Sequence, residues 1–202
     1  MSEKTANPAP LGLLGFGVTT ILLNYAHNFR LGSVDGMILA MGLAYGGLAQ
    51  VIAGVMEYKK GNTFGTVAFT SYGLFWWSYA ILNMLPSFST QVFAYPGIPK
   101  VSNEALAAYF CIWGLFTLAM FFGTLKKNRA IQFVFMSLAI LFFLLTARFA
   151  LLANDPTTDV KLFTQTIGIE GIICGASAVY LAIAEILNAE HGKTVLPICP
   201  VS

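Results

Sequence analysis

The sequence predicts an all-α integral membrane protein with six transmembrane helices surrounding a solute path, and three observations lead there. First, 57% of the 202 residues are hydrophobic and 10% are charged, with a mean hydropathy of +0.73, whereas an ordinary soluble domain carries roughly 25% charge. Second, the apolar residues fall into blocks of about 20, the length that crosses a hydrocarbon core roughly 30 Å thick, instead of recurring on one face of otherwise polar segments. Third, the cations sit in short connections between the blocks, a pattern that reports membrane topology. The solvent for these helices is therefore the lipid bilayer. A net charge of +2, scattered over loops, excludes a nucleic-acid partner.

The spans are expected at about 10–27, 34–56, 65–86, 104–125, 131–152 and 163–188, in a single domain over 1–202. The longest connection, Pro86 to Asn103, mixes Ser87, Ser89, Pro96, Gly97 and Pro99 as a loop would. The first residues, MSEKTANPAP, lack the basic and apolar regions of a cleaved signal, so the first span is expected to stay in the mature protein. With an even number of spans, Lys4, Lys59, Lys60, Lys126, Lys127, Arg129 and Lys193 share the side of both termini. Arg30, Lys100 and Lys161 fall on the other side, with Arg148 just inside the membrane there. Cations accumulate in cytoplasmic loops, so both termini are expected in the cytoplasm of a multi-pass protein of the cell's inner (plasma) membrane.

The first span is short and Gly/Pro-interrupted: Pro8, Pro10, Gly12, Gly15 and Gly17 all disfavour a regular helix. Pro8 and Pro10 suit a helix start, leaving nearby backbone groups to Asn7, solute or water. In transporters such broken segments point to a solute site. Phe16, Thr20 and Asn24 recur every four residues and share a face, an aromatic ring followed by two hydrogen-bonding groups. In the second span Gly42, Gly46, Gln50, Gly54 and Glu57 lie on one face, as do Gly168, Gly171, Gly175, Ala178, Ala182 and Glu185 in the last. Small-residue stripes let helix backbones approach closely, and for the glycines packing is reading enough. Gln50 differs, because an amide in the middle of a span must be bonded or face water. In the third span Tyr72, Phe75, Tyr79 and Asn83 share a face. Tyr79 and Asn83 suit an interfacial belt, whereas Tyr72 lies deeper and needs a partner.

Catalytic and metal chemistry find no support. There is no H-E-x-x-H or G-x-S-x-G, the two histidines, His27 and His191, lie near boundaries or tails, and Cys111, Cys174 and Cys199 have no metal or redox spacing. No enzyme activity and no cofactor are expected. Asn7-Pro8-Ala9 is reminiscent of an aquaporin-like half-helix, but that architecture needs a second such motif, and none is present.

NPAPLGL at Asn7 to Leu13, EYKKGNTFG at Glu57 to Gly65, FTSYGLFW at Phe69 to Trp76, FFGTLK at Phe121 to Lys126, QFVF at Gln132 to Phe135 and ICGASAVYLA at Ile173 to Ala182 together resemble the acetate uptake transporter family. The resemblance covers nearly the whole chain. It implies a six-span protomer in a ring-shaped homo-hexamer, each protomer enclosing its own path for acetate and, in some members, succinate. It also implies a narrow hydrophobic constriction of a Phe, a Tyr and a Leu. Carried over by motif, these are Phe16 in GLLGFG, Tyr72 in FTSYG and Ile131 just before QFVF, where Ile keeps the volume of Leu but branches at Cβ. Asn7, Thr19, Thr20, Asn24, Gln50 and Ser71 are candidates for the polar part of the path, where hydroxyls and amides replace some of a carboxylate's hydration.

Two charges fall inside spans, Glu170 and Arg148. Either they form an ion pair, or Glu170 lines an outer vestibule; alternatively Arg148 snorkels to the headgroups while Glu170 bonds a neighbouring subunit or is protonated. The expected function is transmembrane transport of acetate and related short carboxylates, by a channel-like path or by proton-coupled symport. No acid or histidine sits at the middle of a span, so the sequence displays no proton relay. A membrane sensor or assembly scaffold with the same fold is the alternative.

Overall fold

The computed structural model describes residues 6–29, 35–91 and 100–201; Lys4, Arg30, Pro96, Gly97 and Pro99 lie outside them. Among the described residues the chain is all-helical, with one isolated bridge between Asn128 and Pro200 and no strand. The helices are α1 (Ala9–Phe29), α2 (Asp35–Met41), a π-helical segment (Gly42–Ala49), α3 (Gln50–Lys59), α4 (Thr63–Gln91), α5 (Asn103–Phe122), α6 (Arg129–Asn154) and α7 (Lys161–His191). α2, the π segment and α3 run on without a break, so six helical rods result. Five of them are long and apolar enough to cross a membrane, which makes this a multi-pass membrane protein. The sixth, α4, is 29 residues long but is diluted by Thr66, Thr70, Ser71, Tyr72, Ser78 and Tyr79. It faces the interior, where hydroxyls find partners.

The irregularity expected in the first span lies instead in the second, as a change of helix type without a break. α1 is one continuous helix of 21 residues. Pro8 and Pro10 sit at its start, and the Pro8 carbonyl accepts from Leu11 N (3.1 Å) and Gly12 N (3.4 Å), so no solute is needed to complete its first turn. The glycines of α1 serve close approach. A Cβ on Gly17 would lie 2.6 Å from the Gly175 carbonyl oxygen, and one on Gly175 would lie 2.7 Å from that of Gly17. α1 and α7 thus touch backbone to backbone, the small-residue packing that replaces the hydrophobic drive inside lipid. In the second rod, eight residues, GLAYGGLA, wind as a π-helix. The wider turn is supported from α4, where the Trp77 indole donates to the Leu43 carbonyl at 2.8 Å.

The C-terminal tail folds back over the α5–α6 turn. Arg129 N donates to Cys199 O (2.9 Å), Val201 N to Lys127 O (2.9 Å) and the Tyr180 hydroxyl to Pro197 O (2.8 Å). These bonds, with Asn7 reaching Glu185 and Lys60, gather both ends of the chain and the Lys59–Lys60 and Lys126–Lys127–Arg129 turns at one end of the bundle. That end is called proximal below, and the opposite end distal.

Candidate functional site

Two cavities lie between α1, α3, α4, α6 and α7. The proximal cavity, about 270 Å³, is bounded by Asn7, Leu13, Gln50, Glu57, Lys60, Asn62, Lys127, Asn128, Ile131 and Glu185 among others. The distal cavity, about 490 Å³, is bounded by Thr20, Asn24, Phe75, Trp76, Tyr79, Phe142, Arg148, Phe149 and Thr164 among others. Three residues line both: Phe16 of α1, Tyr72 of α4 and Leu138 of α6. All three are at least 93% buried. The Phe16 and Tyr72 rings face each other with centroids 6.3 Å apart and planes tilted by 47°.

The phenol of Tyr72 is fixed from outside the path. Its hydroxyl donates to Thr117 Oγ1 of α5 at 2.9 Å, and Thr117 donates in turn to the Trp113 carbonyl at 2.7 Å. Phe116 and Phe135 pack edge-on against the same ring at 5.6 and 6.0 Å. With its polar atom bonded to α5, the residue presents aromatic carbon to the path. Two rings and a leucine thus form the wall common to the two cavities.

Ile131, the third residue carried over by motif, is not shared by the two cavities. It lines the proximal cavity alone, and Leu138, seven residues or roughly two turns further along the same face of α6, takes the third position. Of the polar candidates, Asn7 and Gln50 line the proximal cavity and Thr20 and Asn24 the distal one. Thr20 donates to the Phe16 carbonyl (2.7 Å) and Asn24 to the Thr20 carbonyl (2.8 Å), so each is already tied to its own helix. Thr19 and Ser71 line neither cavity. Thr19 is fully buried at the helix interface, where a Cβ on Gly46 would lie 3.0 Å from its methyl group. Glu170 and Arg148 form no ion pair: the Ser137 hydroxyl donates to Glu170 Oε1 at 2.6 Å, whereas Arg148 Nε donates to Thr164 Oγ1 at 2.8 Å. Glu170 lies outside the distal cavity and Arg148 at its wall.

The proximal mouth holds a polar cluster that the motifs alone do not reveal. Asn7 Nδ2 donates to Glu185 Oε2 at 2.9 Å, and Asn7 Oδ1 accepts from Lys60 Nζ at 2.9 Å. Glu57 is fully buried; its Oε2 accepts from Asn62 Nδ2 at 2.6 Å and its Oε1 lies 3.9 Å from Lys60 Nζ. The NPAPLGL asparagine and the GNTFG asparagine therefore meet in one network with two acids and a lysine. The signal available in the sequence was the recurrence of Glu57 and Glu185 at the same ends of the two glycine stripes. Among the described residues no group of three or more His, Cys, Asp or Glu side chains is placed to hold a metal ion.

A model of the GPR1/FUN34/yaaH family matches residues 1–202. The chain is 52% identical over 198 residues to the succinate-acetate/proton symporter SatP of Escherichia coli strain K12, covering 98% of this chain and 97% of that protein. It is 32% identical over 203 residues to acetate permease A of Emericella nidulans, covering 98% of this chain and 67% of the relative. Among solved structures it is similar to that of the bacterial acetate channel SatP, with a TM-score of 0.85 and 50% identity over 96% of this chain and 99% of that one.

Proposed function

The chain belongs to the GPR1/FUN34/yaaH family, and on that premise we propose that it carries acetate and related short carboxylates, succinate among them, across the membrane through its two cavities. The observation that carries this reading is the shared boundary of those cavities: Phe16, Tyr72 and Leu138 lie between two spaces, one reaching Asn7, Lys60 and Glu185 and the other Arg148 and Thr164. A short monocarboxylate has an apolar end that slips between two rings and a leucine and a polar end that the flanking spaces solvate, whereas succinate presents its two central methylenes to the rings. Bulky polyols have no such apolar end. Ile131, roughly two turns of α6 from Leu138, lines the proximal approach.

The proximal end carries Lys59, Lys60, Lys126, Lys127, Arg129 and Lys193, against Lys100 and Lys161 in the distal loops. That asymmetry supports a cytoplasmic proximal end with both termini inside the cell, in the inner (plasma) membrane. Acids with pKa near 4 to 5 are almost wholly ionised at neutral pH, and moving one anion into a negative interior costs about 2.3 kcal/mol per 100 mV unless a proton accompanies it. Inward transport therefore favours a co-transported proton. A ring-shaped hexamer, each protomer with its own path, agrees with the largely exposed apolar surface of α5, where Ile112, Leu115 and Phe122 are each more than half exposed.

Radiolabelled acetate uptake into proteoliposomes, with internal pH and membrane potential recorded together, tests the reading. Saturable uptake, competed by unlabelled succinate and accompanied by internal acidification, is the expected result. Current without proton movement would replace symport by channel conduction. No saturable uptake at all would leave the sensor or scaffold.

A further inference from the structure

Among the described residues lining the distal cavity, Arg148 is the only charged side chain. It comes from α6, and its Nε donates to Thr164 Oγ1 of α7 at 2.8 Å. Its guanidinium carbon lies 4.8 Å from the centroid of the Phe149 ring. The side chain is thus held on two sides and half-buried, and among the described residues it forms no ion pair. An uncompensated cation on an aromatic wall is costly in a membrane protein unless something anionic or wet offsets it. Among the described residues no acid does so, and Arg148 lines the distal cavity. The guanidinium edge matches a carboxylate in two parallel N–H···O bonds.

We propose that Arg148, positioned by Thr164, is a carboxylate-binding site at the distal mouth that captures the anionic form of short mono- and dicarboxylates before they reach the constriction. This inference rests on the transport reading above and adds to it where the anion first binds. Ten residues separate Arg148 from Leu138 along α6, roughly 15 Å of helix, so an acid held at the guanidinium lies on the distal side of the constriction. Arg148 therefore affects capture more than passage. A dicarboxylate, with two negative charges in the focused field of a single cation, gains more from it than a monocarboxylate.

Initial rates of labelled acetate and succinate uptake by proteoliposomes test the site. Arg148→Gln should raise the KM for acetate about tenfold, the scale of one charge-assisted hydrogen bond, and raise that for succinate further, while the maximal rate changes little. Arg148→Lys should recover most of the loss. In Arg148→Cys, a trimethylammonium thiol reagent should restore capture and a sulfonate reagent should not, with the unmodified protein treated in parallel to account for Cys199. A structural defect would not follow the sign of the reagent. Unchanged KM values in Arg148→Gln, or equal responses to both reagents, would overturn the proposal. Calorimetric titration of the purified protein with acetate separates this failure from that of the transport reading. Heat seen in the wild type and lost in Arg148→Gln upholds the site even if uptake fails, and equal binding in both overturns it.

Discussion

The two cavities meet at the same three side chains and yet are built on different electrostatics. Two acids and two lysines line the proximal one, Glu57, Glu185, Lys60 and Lys127, and Asn7 and Asn62 stitch them together. The distal cavity is larger, walled by Phe75, Trp76, Tyr79, Phe142 and Phe149, and carries one cation without an acid. Among the described lining residues formal charge cancels in the first and remains +1 in the second. An anion entering from the distal end thus meets attraction first and a neutral, hydrogen-bonded exit later. A binding site on one side and a balanced release space on the other suits a solute that must let go after crossing.

Removing the divider should have the largest effect. Leu138→Ala would merge the two spaces and cost about 3 kcal/mol of stability, as truncation of a buried leucine does. We expect lower thermal stability in detergent together with faster uptake of bulkier acids such as lactate; unchanged selectivity would move the divider elsewhere. Next comes the proximal network. Glu57→Leu leaves the Asn62 amide without its buried acceptor and Lys60 without its nearby carboxylate, a loss of about 2 kcal/mol, and should lower the unfolding temperature while leaving the acetate KM set at the distal side nearly unchanged. A smaller effect is expected from Thr164→Val, which releases the Arg148 Nε. The acetate KM should rise about fivefold, one ordinary hydrogen bond, and the maximal rate should hold.

The smallest effect is expected outside both cavities, at Asp155 after the end of α6. Its carboxylate accepts from the Thr157 hydroxyl (2.6 Å) and the Thr157 amide (2.9 Å), bonds that hold its pKa below the ordinary aspartate value. A depressed folded-state pKa means that its stabilisation is present at neutral pH and is lost as pH falls through that lowered value. Asp155→Asn should therefore remove a weak acid-side dependence of stability, read by melting at pH 3 to 7, with uptake unaltered.

Much of this site was legible in the residues, and the failures share a cause. Phe16 and Tyr72, singled out by their motifs, line both cavities, and Gln50, singled out by the cost of an amide inside lipid, lines the proximal one. Ile131 and Leu138 lie on the same face of α6, so a helical pattern does not tell which turn stands level with Phe16. That level is set by how far α6 is shifted along α1 and α4. Thr19 and Thr20 are neighbours in sequence, but about 100° of helical rotation sends one into the seam beside Gly46 and the other into the distal cavity. Glu170 and Arg148 share the distal half of the bundle but not a face, and Ser137 is what Glu170 meets. The glycines of α1 read as breaks because glycine does disfavour isolated helix; backbone contact with α7 and side-chain contact with α4 offset that tendency.

The sequence by itself determined the helical class, the number of rods and which end of the bundle is cationic. Block length and loop charge are properties of the chain taken one segment at a time, and lipid acts on each segment in the same way. Only the tertiary structure decided the depth of the constriction, the π-helical turn in the second rod and the separate partners of Arg148 and Glu170. Those depend on the relative shift and rotation of packed helices, which close contacts such as Gly17 against Gly175 set and which no single segment encodes.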